Sequence, residues 1–380
     1  MSIEAPTEAV PLMRTIAQAD AALSGPVAEA KRQVEICNAC RYCEGYCAVF
    51  PAIARQRSFT EGDIVQLANL CHNCRGCYYA CQYTAPHQFD LNVPGVLAEV
   101  RASSFETLVW PGAVARLFQR SGVAMALLTT LALAALWVAI RALPGGEGRG
   151  GAGFYAYLSH AAMVAIFAPA FLAPLAVVAL AVRRYGARVG AAPVGVRAVW
   201  RAAVSAGRAD NLSGGAAGGC NYEDDDAYSQ ARRTAHQLAM WGFLMCFAST
   251  SSATLMHYLL AWPAPYPLLS PPKLLGVPGG ILLCIGTAWL LWLKTKADPA
   301  LGAPGRWGGE AGLSVLLFLT GSTGLALYAA TGTGAVEALL AVHLGAVLAL
   351  FLLLPYSKMV HGFIRLAALA VDHARREGAR

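Results

Sequence analysis

The sequence predicts an all-α chain in two parts, a small cysteine-rich helical domain followed by a bundle of six membrane-spanning helices. Three observations predict it. A doubled cysteine run lies near the start, six long apolar runs follow, and four histidines sit near the ends of those runs. The 380 residues are 57% hydrophobic and only 13% charged, too apolar for a water-soluble protein of this size.

The cysteine run comes first in the chain. Cys37, Cys40, Cys43 and Cys47 are repeated in step by Cys71, Cys74, Cys77 and Cys81, giving two copies of C-x2-C-x2-C-x3-C. Such a run suits a cubane [4Fe-4S] cluster: three close thiolates wrap one face, and in two-cluster ferredoxins the fourth goes to the other cluster. The expected ligation is therefore crossed, with Cys37, Cys40, Cys43 and Cys81 on one cluster and Cys71, Cys74, Cys77 and Cys47 on the other. Paired C-x2-C units also make zinc sites, or disulfides in an oxidising compartment. Zinc gives no reason for the third and fourth cysteines to recur in step. The proline expected after the fourth cysteine is absent, since Ala48 and Gln82 stand there. The polar, apolar-periodic segment from Thr60 to Ala68 predicts a helix between the runs. The fold expected for residues 31–110 is thus a helical two-cluster ferredoxin-like domain, behind a leader of residues 1–30 with a helix over Val10 to Leu23. Tyr42, Tyr46, Phe50, Tyr78 and Tyr79 are candidates to wall the clusters, or ordinary core.

Residues 111–380 hold the six apolar runs, at about 123–140, 161–182, 237–260, 274–293, 312–331 and 336–355, each close to the ~20 residues that cross a bilayer. Pro169 and Pro174 interrupt the second run, which spanning helices tolerate. Gly146 to Gly151 formally matches G-x-G-x-x-G, but no strand precedes it, so a linker is expected and no nicotinamide or flavin site. Residues 184–235 read as a polar partner-facing loop that includes acidic Glu223 to Asp226. Twelve basic residues, among them Arg116, Arg183, Arg232, Lys294, Lys358 and Arg365, flank the run ends on the side of the amino terminus. Arg141, Arg149 and Lys273 flank the other. This bias predicts the cysteine domain and both termini in the cytoplasm of a bacterium, with the bundle in its inner membrane. The absence of a basic, then apolar, leader before the cysteines predicts the same compartment. The net charge of +7 sits at run ends and so does not argue for nucleic acid.

Ionisable side chains within spanning segments default to a functional expectation. His343 and His361 are 18 residues apart, which at ~100° per residue returns them to one face, ~27 Å apart along the axis. His236 and His257 lie near opposite ends of the third run. With these helices antiparallel, His236 pairs with His361 at the inner side and His257 with His343 at the outer side. The expectation is bis-histidine haem b, two per chain, because there is no C-x-x-C-H attachment motif. His160 is a rival at the outer end. His72, His87 and His373 are expected to be structural, and Cys220, Cys246 and Cys284 to be packing residues. The whole is then an all-α, two-cluster ferredoxin-like domain on a six-helix transmembrane haem-b bundle.

Two family likenesses run through these residues. His343-Leu344-Gly345 through Leu354-Pro355-Tyr356-Ser357-Lys358-Met359-Val360-His361 resembles the last haem-bearing helix of the nitrate reductase gamma subunit, over about 20 residues. More of the chain resembles the tricarballylate utilisation B (CitB) family. The matching residues are Cys37 through Cys47, Leu70-Cys71-His72-Asn73-Cys74, Pro86-His87-Gln88-Phe89, Gly219-Cys220-Asn221-Tyr222 and Ala264 through Ser270. The resemblance implies two [4Fe-4S] clusters and haem b. It also implies a separate flavoprotein tricarballylate dehydrogenase as donor and membrane quinone as acceptor. Glu223 followed by three aspartates departs from the proline that the family tends to have there. Two alternatives remain at this point: the membrane arm of another dehydrogenase or heterodisulfide-type reductase, and a zinc-binding membrane scaffold or sensor.

Overall fold

The computed structural model describes residues 25–142, 157–214, 218–223, 226–262 and 264–378. The expected leader helix and the Gly146 to Gly151 linker lie outside the described residues. The described residues are helical throughout, apart from turns and one isolated bridge between Cys220 and Ser229.

Five helices make the cysteine-bearing part: α1 (Pro26–Cys40), α2 (Val49–Ala54), α3 (Glu61–Leu70), α4 (Gly76–Tyr79) and α5 (Val93–Leu108). Their limits are set locally. Pro26 opens α1, and Arg41 ends it in the left-handed conformation (φ 58°). The helix expected between the cysteine runs is α3, started by a capping box in which Thr60 and Asp63 satisfy each other's backbone N–H. Asn92 caps α5 by accepting from the Gly95 N–H at 3.0 Å.

Six helices are long and apolar enough to cross a membrane: α6 (Gly112–Ala142), α7 (His160–Arg188), α9 (Ala231–Leu260), α10 (Pro271–Lys296), α11 (Trp307–Ala329) and α12 (Val336–Leu353). They fall on the six expected runs, extended at their polar ends. α9 packs along α10, α10 on α11, and α11 and α12 on α6. Small residues allow the α9 and α10 backbones to touch: a Cβ on Gly286 would lie 2.3 Å from Ala239 N, and one on Gly242 would lie 2.4 Å from Leu283 N.

Two further helices correct the sequence reading. Within the supposed polar loop, α8 (Val196–Arg208) forms an amphipathic helix. Its buried Ala198 and Ala202 are small, so no apolar run announced it. The second correction concerns the histidines. α12 stops at Leu353, and His361 lies on a separate helix, α13 (Val360–Gly378). Pro355 has no N–H to continue the ladder, and the chain turns with the Ser357 N–H donating to Leu353 O at 2.9 Å. The 18-residue arithmetic, which required one helix, therefore does not apply.

α13 closes the fold. Val360, Ile364, Ala368 and Leu369 share one core with Ile64, Leu67, Leu97 and Val100 of the cysteine-bearing helices and with Tyr185 of α7. Gln66 Nε2 donates to Ala368 O at 2.9 Å, and Tyr185 OH donates to Gln66 Oε1. Arg55 pairs with Asp372, and Arg375 with Asp63 at 3.5 Å. The carboxyl-terminal helix is thus packed on the cysteine-bearing part, which holds it at the end of the bundle where α7 terminates.

Candidate iron–sulfur and haem sites

The eight cysteines are distributed by turns rather than by regular structure. Cys37 and Cys40 occupy the last turn of α1, and Cys71 caps the end of α3. The next residues alternate in handedness: Asn73 (φ 53°) and Arg75 (φ 70°) are both left-handed around Cys74. Such a curl turns successive N–H groups inward and makes a concavity suited to negative charge. Asn73 N–H points at Cys71 Sγ and Tyr83 N–H at Cys81 Sγ, each at 3.4 Å. The N–H groups of Val49 and Phe50 serve Cys47, and that of Gly76 serves Cys74.

Cys47, from the first run, lines one cavity together with Cys71, Cys74 and Cys77 of the second, walled by Tyr46, Val49, Phe50, Val93, Pro94 and Leu97. The sulfurs that act electrostatically on Cys37 are those of Cys43, Cys81 and Cys40. Cys47 thus lies with the second run, and a cavity with four thiols, mostly apolar walls and inward N–H groups fits a thiolate-ligated cluster. Among the described residues no three ligating side chains converge on a single-ion position. A cubane takes its ligands at separate corners. Cys40 is exposed and its set is half-buried at most, whereas Cys71 and Cys74 are buried.

Burial, and after it the neighbouring sulfurs, pushes Cys37 and Cys74 up to about 12 and Cys43 up to about 11, and moves Cys47 and Cys77 upward as well. Without iron these thiols stay protonated, and metal loading must expel the protons. The sign for stability follows. A thiol with a raised value favours the folded chain in its neutral form, fully below the ordinary value of 9.0, and that contribution is lost as pH rises toward 12. Metal-stripped protein in detergent is expected to melt at falling temperature above pH 9, while the loaded protein holds its melting temperature. Circular dichroism melts at stepped pH check this, and parallel curves would refute it.

Two of the four histidines come together. His236 of α9 and His361 of α13 face one another with ring centres 6.4 Å apart and planes at 80°. Two imidazoles on opposite sides of one iron, each ~2 Å from it, set ring centres ~6 Å apart. His361 Nδ1 meets the Lys358 carbonyl, which can only accept, so Nδ1 carries the proton and Nε2 is left for a metal. Withdrawal from water, then Arg365 and Lys358, hold His361 well below the usual imidazole value, in the neutral form a metal ligand needs. His236 Nδ1 is buried without a hydrogen-bond partner.

His257 and His343 are arranged otherwise. His257 stacks on His160, ring centres 4.2 Å apart at 17°, with Tyr258 edge-on to both. That spacing is van der Waals contact and holds nothing between the rings. His343 meets Thr323 Oγ1 at 3.0 Å through Nδ1. The threonine hydroxyl donates to Leu319 O at 2.6 Å, so it accepts from His343 and leaves that ring's Nε2 free. His257 and His343 are not brought into ring contact among the described residues. Phe171 lies against Phe247 and Phe351, at 6.1 and 5.1 Å. His72 donates through Nδ1 to Leu70 O at 2.8 Å, and His87 packs with Tyr83 and Phe89.

Sequence reasoning missed the residues that surround Cys71 to Cys74. Arg101, Arg232 and Arg365 all donate to carbonyls of that loop, and the guanidinium groups of Arg75 (4.6 Å) and Arg232 (4.2 Å) both lie against the Tyr222 ring. Cys220 is fully buried next to Cys74, and the Asn221 N–H donates to Cys74 O at 2.9 Å. One signal was available: Arg232 precedes His236, and Arg365 follows His361, by one helical turn each.

An all-helical, multi-pass chain whose amino-terminal part is a Fer4-like domain defines a membrane protein with an iron–sulfur electron-transfer role. Residues 30–107 match the family described as the citrate utilization protein B Fer4-like domain, and residues 147–380 match citrate utilization protein B. The chain is 40% identical over 351 residues to the citrate utilization protein B of Escherichia coli, covering 91% of this chain and 92% of that protein. The chain belongs to the citrate utilization protein B family. No solved structure matches it.

Proposed function

We propose that the chain reoxidises the reduced flavin of a separate dehydrogenase, one acting on tricarballylate, and delivers the electrons to the membrane quinone pool. Cys37, Cys40, Cys43 and Cys81 hold one [4Fe-4S] cluster, and Cys71, Cys74, Cys77 and Cys47 the other. His236 and His361 hold haem b. The cysteine-bearing part and both termini lie in the cytoplasm, with the bundle in the bacterial inner membrane. The clusters and porphyrin iron supply one-electron chemistry that no side chain provides.

The rest falls to the chain's own residues. Tyr46, Phe50, Val93 and Leu97 keep water from the second cavity, and the backbone N–H groups fix the sulfurs. Lys358, Arg232 and Arg365 surround the inner histidines with positive charge, which suits the acidic side chains of a haem. The observation that carries the reading is the His236–His361 pair, at haem-ligand spacing, one helical turn from the arginines that grip the Cys71 loop.

The test is anaerobic purification of the full chain, with iron and haem analysis, followed by addition of the pre-reduced flavoprotein. About eight cluster irons per chain, haem b absorption bands, and haem reduction only when that donor is present are expected. Zinc without haem bands, or no haem reduction by the donor, would reject it.

A further inference from the structure

We propose that Arg101, Arg232 and Arg365 make the site of Cys71, Cys74, Cys77 and Cys47 the more oxidising of the two, and so the last stop before the membrane histidines. This rests on the cluster reading above and adds an order to it.

Five consecutive or near-consecutive carbonyls of the Cys71 loop are held by three guanidinium groups from three different helices. Arg101 of α5 donates through Nη1 to Cys71 O (2.8 Å) and Ala68 O (3.3 Å). Arg365 of α13 donates through Nη2 to Cys71 O (2.7 Å) and through Nε to Asn69 O (3.3 Å). Arg232 of α9 donates through Nη1 to Asn73 O (2.7 Å) and through Nη2 to His72 O (3.0 Å). Arg101 is buried and the other two are half-buried.

Among the described residues, none of the three forms an ion pair. The carboxylate closest in influence, Glu310, is already shared between Lys294 and Lys358. Cations withdrawn from water and left without a carboxylate are costly unless a counter-charge sits nearby. Four thiolates round a cubane are such a counter-charge, and it grows by one when an electron arrives. The three cations therefore favour the reduced form at this site.

Among the described residues the other site has no such array. Cys40 is exposed, Arg41 is exposed and donates locally to Asn38 O at 3.0 Å, and water screens what charge there is. Each transfer moves one electron: the Cys37 site is oxidised as the Cys71 site is reduced, and the latter is reoxidised as the electron reaches the iron held by His236 and His361. Arg232 and Arg365 stand on the same helices as those histidines, one turn away, so the grip on the loop also fixes the distance of this last step.

The experiment is an EPR-monitored redox titration of the full chain in detergent. Cys40→Ser and Cys74→Ser assign each signal to its site. In otherwise unaltered protein the signal altered by Cys74→Ser is expected at the higher potential. Arg365→Gln and Arg232→Gln are each expected to weaken electron uptake at that site at least tenfold, a downward shift of about 59 mV per tenfold, and to leave the other signal in place. Arg365→Lys is expected to retain most of the potential. If the Cys74-dependent signal titrates lower in the unaltered protein, or if the glutamine variants move both signals equally or neither, the proposal is overturned while the clusters stand. Should a glutamine variant fail to accumulate, the order in the unaltered protein still decides. Absence of any cluster signal sinks the cluster reading itself.

Discussion

Alanine at His236 and alanine at His361 are expected to remove the same haem, and the double variant no more than either alone. Residues that act on one ligand lose their joint effect with the first substitution, so the two changes are grossly non-additive. The structural reason is the shared position of the rings, 6.4 Å apart on helices α9 and α13. The haem-to-protein ratio, read from the pyridine haemochrome, is expected to fall by about one per chain in all three variants. Equal and additive losses would mean that the two rings serve different haems. No loss would remove the pair from the ligand set. His343→Ala gives the contrast: it acts at the Thr323 level of α11 and α12 and is expected to leave the inner haem in place.

Serine at Cys47 is expected to abolish or alter the signal of the Cys71, Cys74 and Cys77 cluster, and serine at Cys81 that of the Cys37, Cys40 and Cys43 cluster. Each variant is expected to spare its sequence-adjacent partners. Loss of a thiolate ligand takes away one of the four bonds that hold a cubane, so the effect is near-complete at one site and small at the other. The cavity that places Cys47 with Cys71, Cys74 and Cys77 motivates the first half, and the influence of Cys81 on Cys37 the second. Low-temperature EPR of the reduced variants, against Cys40→Ser and Cys74→Ser, decides it. If Cys47→Ser instead strikes the Cys37 signal, ligation follows the sequence runs and the crossed assignment falls.

Much of the architecture was legible because it rests on local patterns. Six apolar runs become six helices, and Thr60 with Asp63 announces the helix between the cysteine runs. The second run's turns were not legible: nothing in Asn73 or Arg75 marks them as left-handed. The break after Leu353 is hidden as well, because the apolar run carries on to Pro355 past the end of the helix. Helix α8 was lost among arginines, since it buries alanines against α13 and leaves Val196 and Trp200 exposed.

The sequence by itself determined the thiol spacing, the number of apolar spans and the class of redox group they suit, because each depends on neighbours within a few turns of chain. Only the tertiary structure decided that α13 folds back onto the cysteine-bearing helices, that His361 meets His236 while His257 meets His160, and that Arg101, Arg232 and Arg365 converge on one loop. These depend on which helices share a core, and residues 101, 232 and 365 carry no sign of one another along the chain.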